Sequence, residues 1–237
     1  MNNNKSYKRV LLKLSGEAVA PKNGEGIIDF DFLALISEKV KKCIDNGKQV
    51  AIVIGGGNIW RGIYGKQMNR AHADYMGMLA TVINCISLGD VMKAHGVPAV
   101  VMTSVEMKQF AEVYVRDKAV KHLEDGKVVI FAGGLGIPFF STDTAVAVRA
   151  AEIGADVVLM AKNVDGVYDK DPALYPDAVR YDNIKYSEML EKNLKVIDLT
   201  AAAFLKENNI PSLLFGLKDP ENIVRAVNGE DIGTVLE

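Results

Sequence analysis

Little in this sequence points to redox or metal chemistry. Its 237 residues include two cysteines, Cys43 and Cys85, and three histidines, His72, His95 and His122. The cysteines form no CxxC pair, which argues against a disulfide scaffold and for reduced thiols. The histidines are scattered without metal-ligand spacing, so no metal site is expected, and no Ser/His/Asp or Cys/His set stands out for nucleophilic hydrolysis. No apolar run approaches the ~20 residues needed to cross a bilayer. The polar start, Met1 to Arg9, does not read as a signal peptide. A soluble, cytoplasmic protein is the expectation. The net charge of −2 offers no long-range attraction for nucleic acid or a membrane surface. A polyanionic ligand would have to be held by local geometry.

Familiar nucleotide signatures are missing as well. There is no GxxxxGK[ST], so this is not a P-loop chain. Gly55-Gly56-Gly57 fails the dinucleotide fingerprint GxGxxG because Trp60 stands where the third glycine belongs. Neither HRD nor DFG occurs, which excludes the protein kinase set.

What is present is an alternation. Short, nearly continuous apolar runs lie at Val10–Leu14, Val50–Ile54, Val97–Met102, Val128–Phe131 and Val157–Met160. This pattern belongs to strands covered on both faces, as in a parallel sheet. Between them, helices are expected at Asp31–Asn46, His72–His95 (with a break near Gly89), Glu112–Glu124 and Thr142–Ile153. In the first, Phe32, Leu35, Ile36, Val40 and Ile44 form the apolar stripe, and Gly47 stops it. Asn163–Tyr181, rich in Asp, Pro and Tyr, reads as an irregular excursion. Further helices are expected at Ser187–Lys192, Ala201–Asn208 and Glu221–Val227, with strands at Leu213–Phe215 and Thr234–Leu236. The fold class is α/β: a three-layer α/β/α sandwich with a mostly parallel central sheet. Residues 1–237 make one domain, divisible near Met160 into lobes of roughly 1–160 and 161–237.

Three glycine-rich turns follow strands, the place where α/β proteins hold phosphates. Lys13-Leu14-Ser15-Gly16 puts an ammonium beside a turn; the plainer reading is a solvated lysine. Gly55-Gly56-Gly57-Asn58 suits close approach of a ligand to backbone, with Arg61 placed to fork two phosphate oxygens, or is a tight turn. Gly133-Gly134-Leu135-Gly136 leads through Phe139 and Phe140 to Ser141, Thr142 and Asp143, which open a helix. The two phenylalanines wall a site or belong to the core. Tyr168, in a polar loop, flanks a nucleoside or lies on the surface. Several anion cradles on one sheet suit two phosphorylated ligands facing each other. An acceptor that is already an ionised phosphate needs no histidine base.

At these residues the chain resembles the bacterial-type uridylate (UMP) kinases of the amino-acid-kinase superfamily, from about Tyr7 to Leu236. Lys8–Glu17, Val53–Asn58 and Gly136–Asp143 carry the resemblance, and Asp74-Tyr75-Met76-Gly77-Met78-Leu79-Ala80-Thr81 most specifically. The resemblance implies transfer of a phosphoryl group from ATP to UMP, with Mg²⁺, in pyrimidine nucleotide synthesis. It implies Lys13, Asp143 and Asp198 as catalytic residues, the two carboxylates orienting the lysine. ATP would meet Lys13, Leu14, Ser15, Gly16, Gly57, Arg61, Tyr168 and Asp171, together with Lys162 or Asn163. UMP would meet Gly56, Asp74, Leu135, Gly136, Ile137, Pro138, Phe139, Phe140, Ser141 and Thr142, with Asp74 on the ribose. The 1–160 lobe would then be the UMP side and 161–237 the ATP side. Similar enzymes are homohexamers activated by GTP, through a segment matching Asn23, Gly24, Glu25 and Gly26, and inhibited by UTP. The His72–His95 helix serves a subunit contact or is plain core. Two other readings stand beside this one: a superfamily kinase acting on a carbamate or amino acid, and a nucleotide-binding sensor without catalysis.

Overall fold

The computed structural model describes residues 7–65, 67–194 and 196–237; the polar start, residues 1–6, lies outside them. In chain order the elements are β1 (Arg9–Leu14), α1 (Phe30–Asp45), β2 (Gln49–Ile54), α2 (Arg70–Ala94), β3 (Ala99–Thr103), β4 (Glu112–Val113), α3 (Arg116–Glu124), β5 (Val128–Ala132), α4 (Thr142–Ile153), β6 (Val157–Lys162), β7 (Val167–Tyr168), β8 (Arg180–Tyr181), β9 (Asn183–Ile184), α5 (Tyr186–Glu191), α6 (Leu199–Glu207), β10 (Ser212–Gly216), α7 (Glu221–Val227) and β11 (Thr234–Leu236).

Nine strands form one sheet in the order β4-β3-β5-β2-β1-β6-β10-β11-β9. Every neighbouring pair is parallel except β10 with β11. The expected three layers are present. Leu12, Leu14, Ile52 and Ile54 pack under α1, α2 and α7, while Leu11, Val53, Val129 and Met160 pack under α3 to α6. Burial on both faces is why these strands read as unbroken apolar runs. The sheet is continuous through residue 160, since β6 pairs with β1 on one side and β10 on the other.

Chain direction reverses at the centre. From β1 the chain passes through α1 to β2 on one side; from β6 it passes through α6 to β10 on the other, across the opposite face. Adjacent strands whose crossovers leave in opposite directions open a crevice at their carboxyl ends, where α/β sheets bind ligands.

The structure corrects several expectations. Glu112–Val113 is a strand paired with Met102–Thr103, and the helix starts only at Arg116. The run Val113-Tyr114-Val115 favours extended backbone, and an edge of β3 was there to receive it. The long helix does not break at Gly89. A Cβ there would lie 2.9 Å from Val101 Cγ2, so this glycine lets α2 lie close on β3. In α1, Leu33, Ile36, Val40 and Cys43 are buried while Leu35 is exposed, a rotation of the predicted stripe. The excursion after β6 contains a small antiparallel ladder of β7 on β8. Cys43 and Cys85 are both buried, and burial pushes each thiol up to about 12. By length and composition alone α2 is apolar enough to cross a membrane; here it packs on α1, β2, β3 and β5.

Candidate active site

At the crevice, Lys13 stands near the end of β1 and points to the same face as Leu11, toward α4. Only 8% of it is exposed. Its Nζ lies 3.1 Å from Asp143 Oδ1, in the first turn of α4. Lys162, the last residue of β6, approaches the same carboxylate from the other side, with Nζ 3.9 Å from Oδ2. It also donates to the Val196 carbonyl. Asp143 Oδ1 is fully buried and makes no well-aligned hydrogen bond, so its contact with Lys13 is electrostatic. Two ammonium groups thus share one carboxylate, with the Asp198 carboxylate also within electrostatic reach of Lys162. Burial lowers the Lys162 pKa and nearby Lys13 lowers it further; Asp143 and Asp198 oppose this.

Helix ends hold this centre in place. Ser141 caps α4, its Oγ accepting the Thr144 N–H at 3.1 Å. Asp198 caps α6, accepting the Ala201 N–H at 2.8 Å. The same carboxylate accepts the Ser141 hydroxyl and, at 3.1 Å, that of Thr144. Asp198 therefore ties α6 to the start of α4, and its charge favours protonated Lys162. The α4 N-terminus is itself suited to an anion.

The first two glycine turns are pressed together. A Cβ on Gly16 would lie 2.5 Å from the Gly55 carbonyl and 2.6 Å from the Gly57 nitrogen. One on Gly56 would lie 2.8 Å from both the Gly77 carbonyl and Ala80 Cβ. The glycines at 16 and 56 thus answer first to the protein's own backbone and to α2, a reason invisible before the helix is docked. Gly57 differs: a Cβ there would meet only Glu17, at 3.5 Å, and its open side faces the cavity. Ser15 Oγ accepts the Ala18 N–H at 3.3 Å and shapes the turn after β1. Leu14 is buried, so it can offer a ligand only backbone. Arg61 is exposed and its guanidinium pairs with Glu17. Asn58 and Asn84 bond to each other through both amides, and Asn84 also donates to the Gly55 carbonyl at 2.8 Å.

Beside the second and third turns lies a cavity of about 210 Å³. Gly56, Asp74, Leu135, Ile137, Phe140, Ser141 and Thr142 line it, as expected for the acceptor side, and so do Trp60, Met78 and Thr81. None of the last three was expected to line the acceptor side, although Met78 and Thr81 lie in the Asp74–Thr81 motif and Trp60, the chain's one tryptophan, follows the glycine triplet by three residues. Gly136, Pro138 and Phe139 are not among the lining residues. Phe139 takes φ +74°, is exposed, and donates its N–H to Asp74 Oδ2 at 2.8 Å. Asp74 also accepts from Arg70 Nε at 3.0 Å. Neither Phe139 nor Phe140 is core.

A second cavity, of about 470 Å³, is lined by Lys162, Val164, Tyr168, Asp171, Leu194 and Val196 among others. Its apolar walls with a few polar groups suit a heterocyclic base. Lys162 belongs both to this cavity and to the Asp143 centre, whereas Asn163 is exposed and does not line it. Tyr168 donates its hydroxyl to Asp165 Oδ1 at 2.7 Å, and that bond raises its pKa. Asp171 accepts the Ala173 N–H at 2.9 Å. Asn23, Gly24, Glu25 and Gly26 form an exposed loop with positive φ at both glycines; Asn23 and Glu25 line a separate, shallow surface depression. Asn58 reaches the neighbouring Ile27 carbonyl at 2.7 Å. Among the described residues, no group of three or more His, Cys, Asp or Glu is placed to hold a metal ion.

Residues 8–216 match the model of the amino acid kinase family. The crystal structure of UMP kinase from Bacillus anthracis superposes with a TM-score of 0.94 at 38% identity, covering 98% of this chain and 97% of that one. UMP kinase from Ureaplasma parvum gives 0.91 at 38% identity, covering 97% and 98%. Uridylate kinase from Archaeoglobus fulgidus gives 0.74 at 27% identity, covering 96% and 99%. With one cavity lined by the start of α4, another lined by Lys162 of the lysine–carboxylate centre, and full-length likeness of this order, the chain belongs to the amino acid kinase family and, within it, groups with the UMP kinases.

Proposed function

We propose that this protein transfers the γ-phosphoryl group of ATP to UMP, giving UDP and ADP. The observation that carries the reading is the Lys13–Asp143–Lys162 cluster at the carboxyl edge, with one cavity on the α4 side and another reached through Lys162. A phosphate oxygen of UMP attacks the γ-phosphorus. The bond to the β,γ-bridging oxygen breaks, and ADP leaves with the electron pair. The acceptor is ionised at neutral pH, so no general base is required. What the step does require is alignment and positive charge at the group in flight. Lys13 and Lys162 supply that charge, and Asp143 sets their spacing.

The cavity lined by Gly56, Asp74, Leu135 and Thr142 takes UMP, with Gly136, Pro138 and Phe139 as its outer wall. The turn at Lys13–Gly16 takes the ATP phosphates, Arg61 exchanging Glu17 for a phosphate oxygen, and Gly57, which also lines the acceptor cavity, stands between the two nucleotides. Lys162, Tyr168 and Asp171 take the adenosine end. The UMP cavity lies before residue 160 and the adenosine-end residues after it, which is the division into a UMP lobe and an ATP lobe, with the ATP phosphates reaching back onto turns of the first. Mg²⁺ prefers phosphate and water oxygens. It therefore enters as part of the substrate, Mg·ATP, and contributes charge neutralisation there.

Regulation by GTP and UTP, with the Asn23–Gly26 loop as the GTP-responsive segment, and assembly into a homohexamer belong to the same proposal. So does work in the cytoplasm. An exposed row on α2, Tyr75, Met76, Leu79 and Ile83, supports the assembly reading. The decisive experiment measures ADP release with UMP, CMP, glutamate, aspartate and carbamate as acceptors, with and without GTP. Turnover that favours any non-nucleotide acceptor overturns the assignment.

A further inference from the structure

We propose that Arg149 is a positioning residue for the acceptor nucleotide, acting through the Ser104 hydroxyl on the Gly134 carbonyl. The inference rests on reading the cavity beside α4 as the UMP site.

Arg149 lies on α4 about two turns beyond Thr142, at 3.6 residues per turn, and it does not line the cavity. Only 5% of it is exposed. An arginine is seldom buried this deeply unless it is paired; here both terminal nitrogens are engaged, while Nε is buried without a hydrogen-bond partner. Its guanidinium carbon sits 3.7 Å from the centroid of the Tyr114 ring. One terminal nitrogen pairs with Glu152, which also accepts the Tyr114 hydroxyl at 2.8 Å. The other donates to Ser104 Oγ at 2.8 Å, and Ser104 Oγ donates in turn to the Gly134 carbonyl at 2.7 Å.

The order of donation fixes a direction. Arginine can only donate, so it takes a lone pair of the serine oxygen and leaves the single hydroxyl proton for Gly134. A charged donor at the head of such a chain strengthens the second bond. In a trans peptide the carbonyl and the following N–H point opposite ways. Holding the Gly134 carbonyl on Ser104 therefore aims the Leu135 N–H away from Ser104. Gly134 and Leu135 both line the cavity.

The loop needs such a hold. Gly133, Gly134 and Gly136 all have positive φ, at +77°, +57° and +78°. A stretch this rich in glycine has many alternative conformations. Thr81 Oγ1 fixes one end by accepting the Gly133 N–H at 2.9 Å. Ser104 fixes the next residue. Because Arg149 stands on the same helix whose first turn lines the cavity, the chain sets that loop relative to the α4 N-terminus. Both walls of the acceptor site are thereby referred to one rigid element.

The test is steady-state kinetics of the full-length protein with UMP and ATP varied separately, on wild type, Arg149→Met, Arg149→Lys and Ser104→Ala. Arg149→Met should raise the KM for UMP about 10-fold or more, the scale of one lost charge-assisted hydrogen bond, while the KM for ATP stays within about two-fold. Arg149→Lys should recover part of the loss. Ser104→Ala keeps the Arg149–Tyr114–Glu152 contacts and should shift the UMP KM in the same direction; it decides the matter if Arg149→Met does not fold. An unchanged UMP KM in folded Ser104→Ala, or an equal rise in both KM values, overturns the inference. Wild type that does not phosphorylate UMP overturns the acceptor reading and this inference with it. Normal wild-type turnover with unshifted variants overturns this inference alone.

Discussion

The residues that matter most are two lysines around one carboxylate. Lys13 is nearly buried and its partner is Asp143. Lys13→Ala should lower kcat at least ~100-fold while UMP binding, followed by calorimetry, persists; this is the scale for removing one preorganised charge-stabilising donor. Near-normal turnover would remove Lys13 from the mechanism. Lys162 adds a pH signature. Burial lowers its pKa below the usual 10.5, so it loses its proton before an exposed lysine does. Since the charged form is the working one, kcat should fall on the alkaline side as pH rises through that lowered value. Lys162→Arg should move this limb upward, and a limb that does not move would assign it elsewhere. Stability responds with the opposite sign. Between the folded-state pKa and 10.5 the unfolded chain binds more protons at this residue, so its contribution favours folding increasingly as pH rises.

Legibility at this scale was uneven. Lys13 and Asp143 could be read because each sits beside a turn of recognisable composition. That Lys162 rather than Asn163 reaches Asp143 could not, because strand parity sets it. Lys162 falls on the same face as Met160, under α4, and Asn163 lies beyond the strand. The Arg61–Glu17 pair was also hidden, since it joins side chains 44 residues apart across two loops.

Among elements, the turns after β1 and β2 and the helix α2 act as one packed unit. Gly56→Ala tests this. Its Cβ would stand 2.8 Å from the Gly77 carbonyl and Ala80 Cβ, so α2 must move off the turn. The expected cost is about 1–3 kcal/mol of unfolding free energy, typical of overpacking, read by urea denaturation. The KM for UMP should rise with it, because Gly77 and Thr81 of α2 line the same cavity. A stable variant would show that the turn tolerates the methyl group. The existence of α1 was plain from its apolar period, though not the rotation that buries Leu33 and exposes Leu35. The strand β4 was missed because two residues give no periodicity; pairing with β3 makes it a strand. The unbroken course of α2 past Gly89 was likewise set by tertiary approach, to Val101.

For the whole molecule, the α/β/α layering followed from continuous apolar runs separated by helices. What the runs could not reveal was strand order, since β5 lies between β3 and β2, and β6 crosses to the far side of β1. Nor could they show that α2 leaves Tyr75, Met76, Leu79 and Ile83 exposed. If that row is a subunit contact, Leu79→Glu should reduce the mass measured by light scattering, at protein concentrations where the wild type is oligomeric. An unchanged mass would place the contact on another face.

The crossing of β6 to the far side of β1 has a consequence for biosynthesis. Lys13 emerges from the ribosome early, yet its carboxylate partner and the second lysine follow at positions 143 and 162, and β6 must seat beside β1 before the three groups meet. A nascent chain that ends before Asp143 holds the ammonium without its counter-group, so the charged centre can assemble only once α4 and β6 have been made.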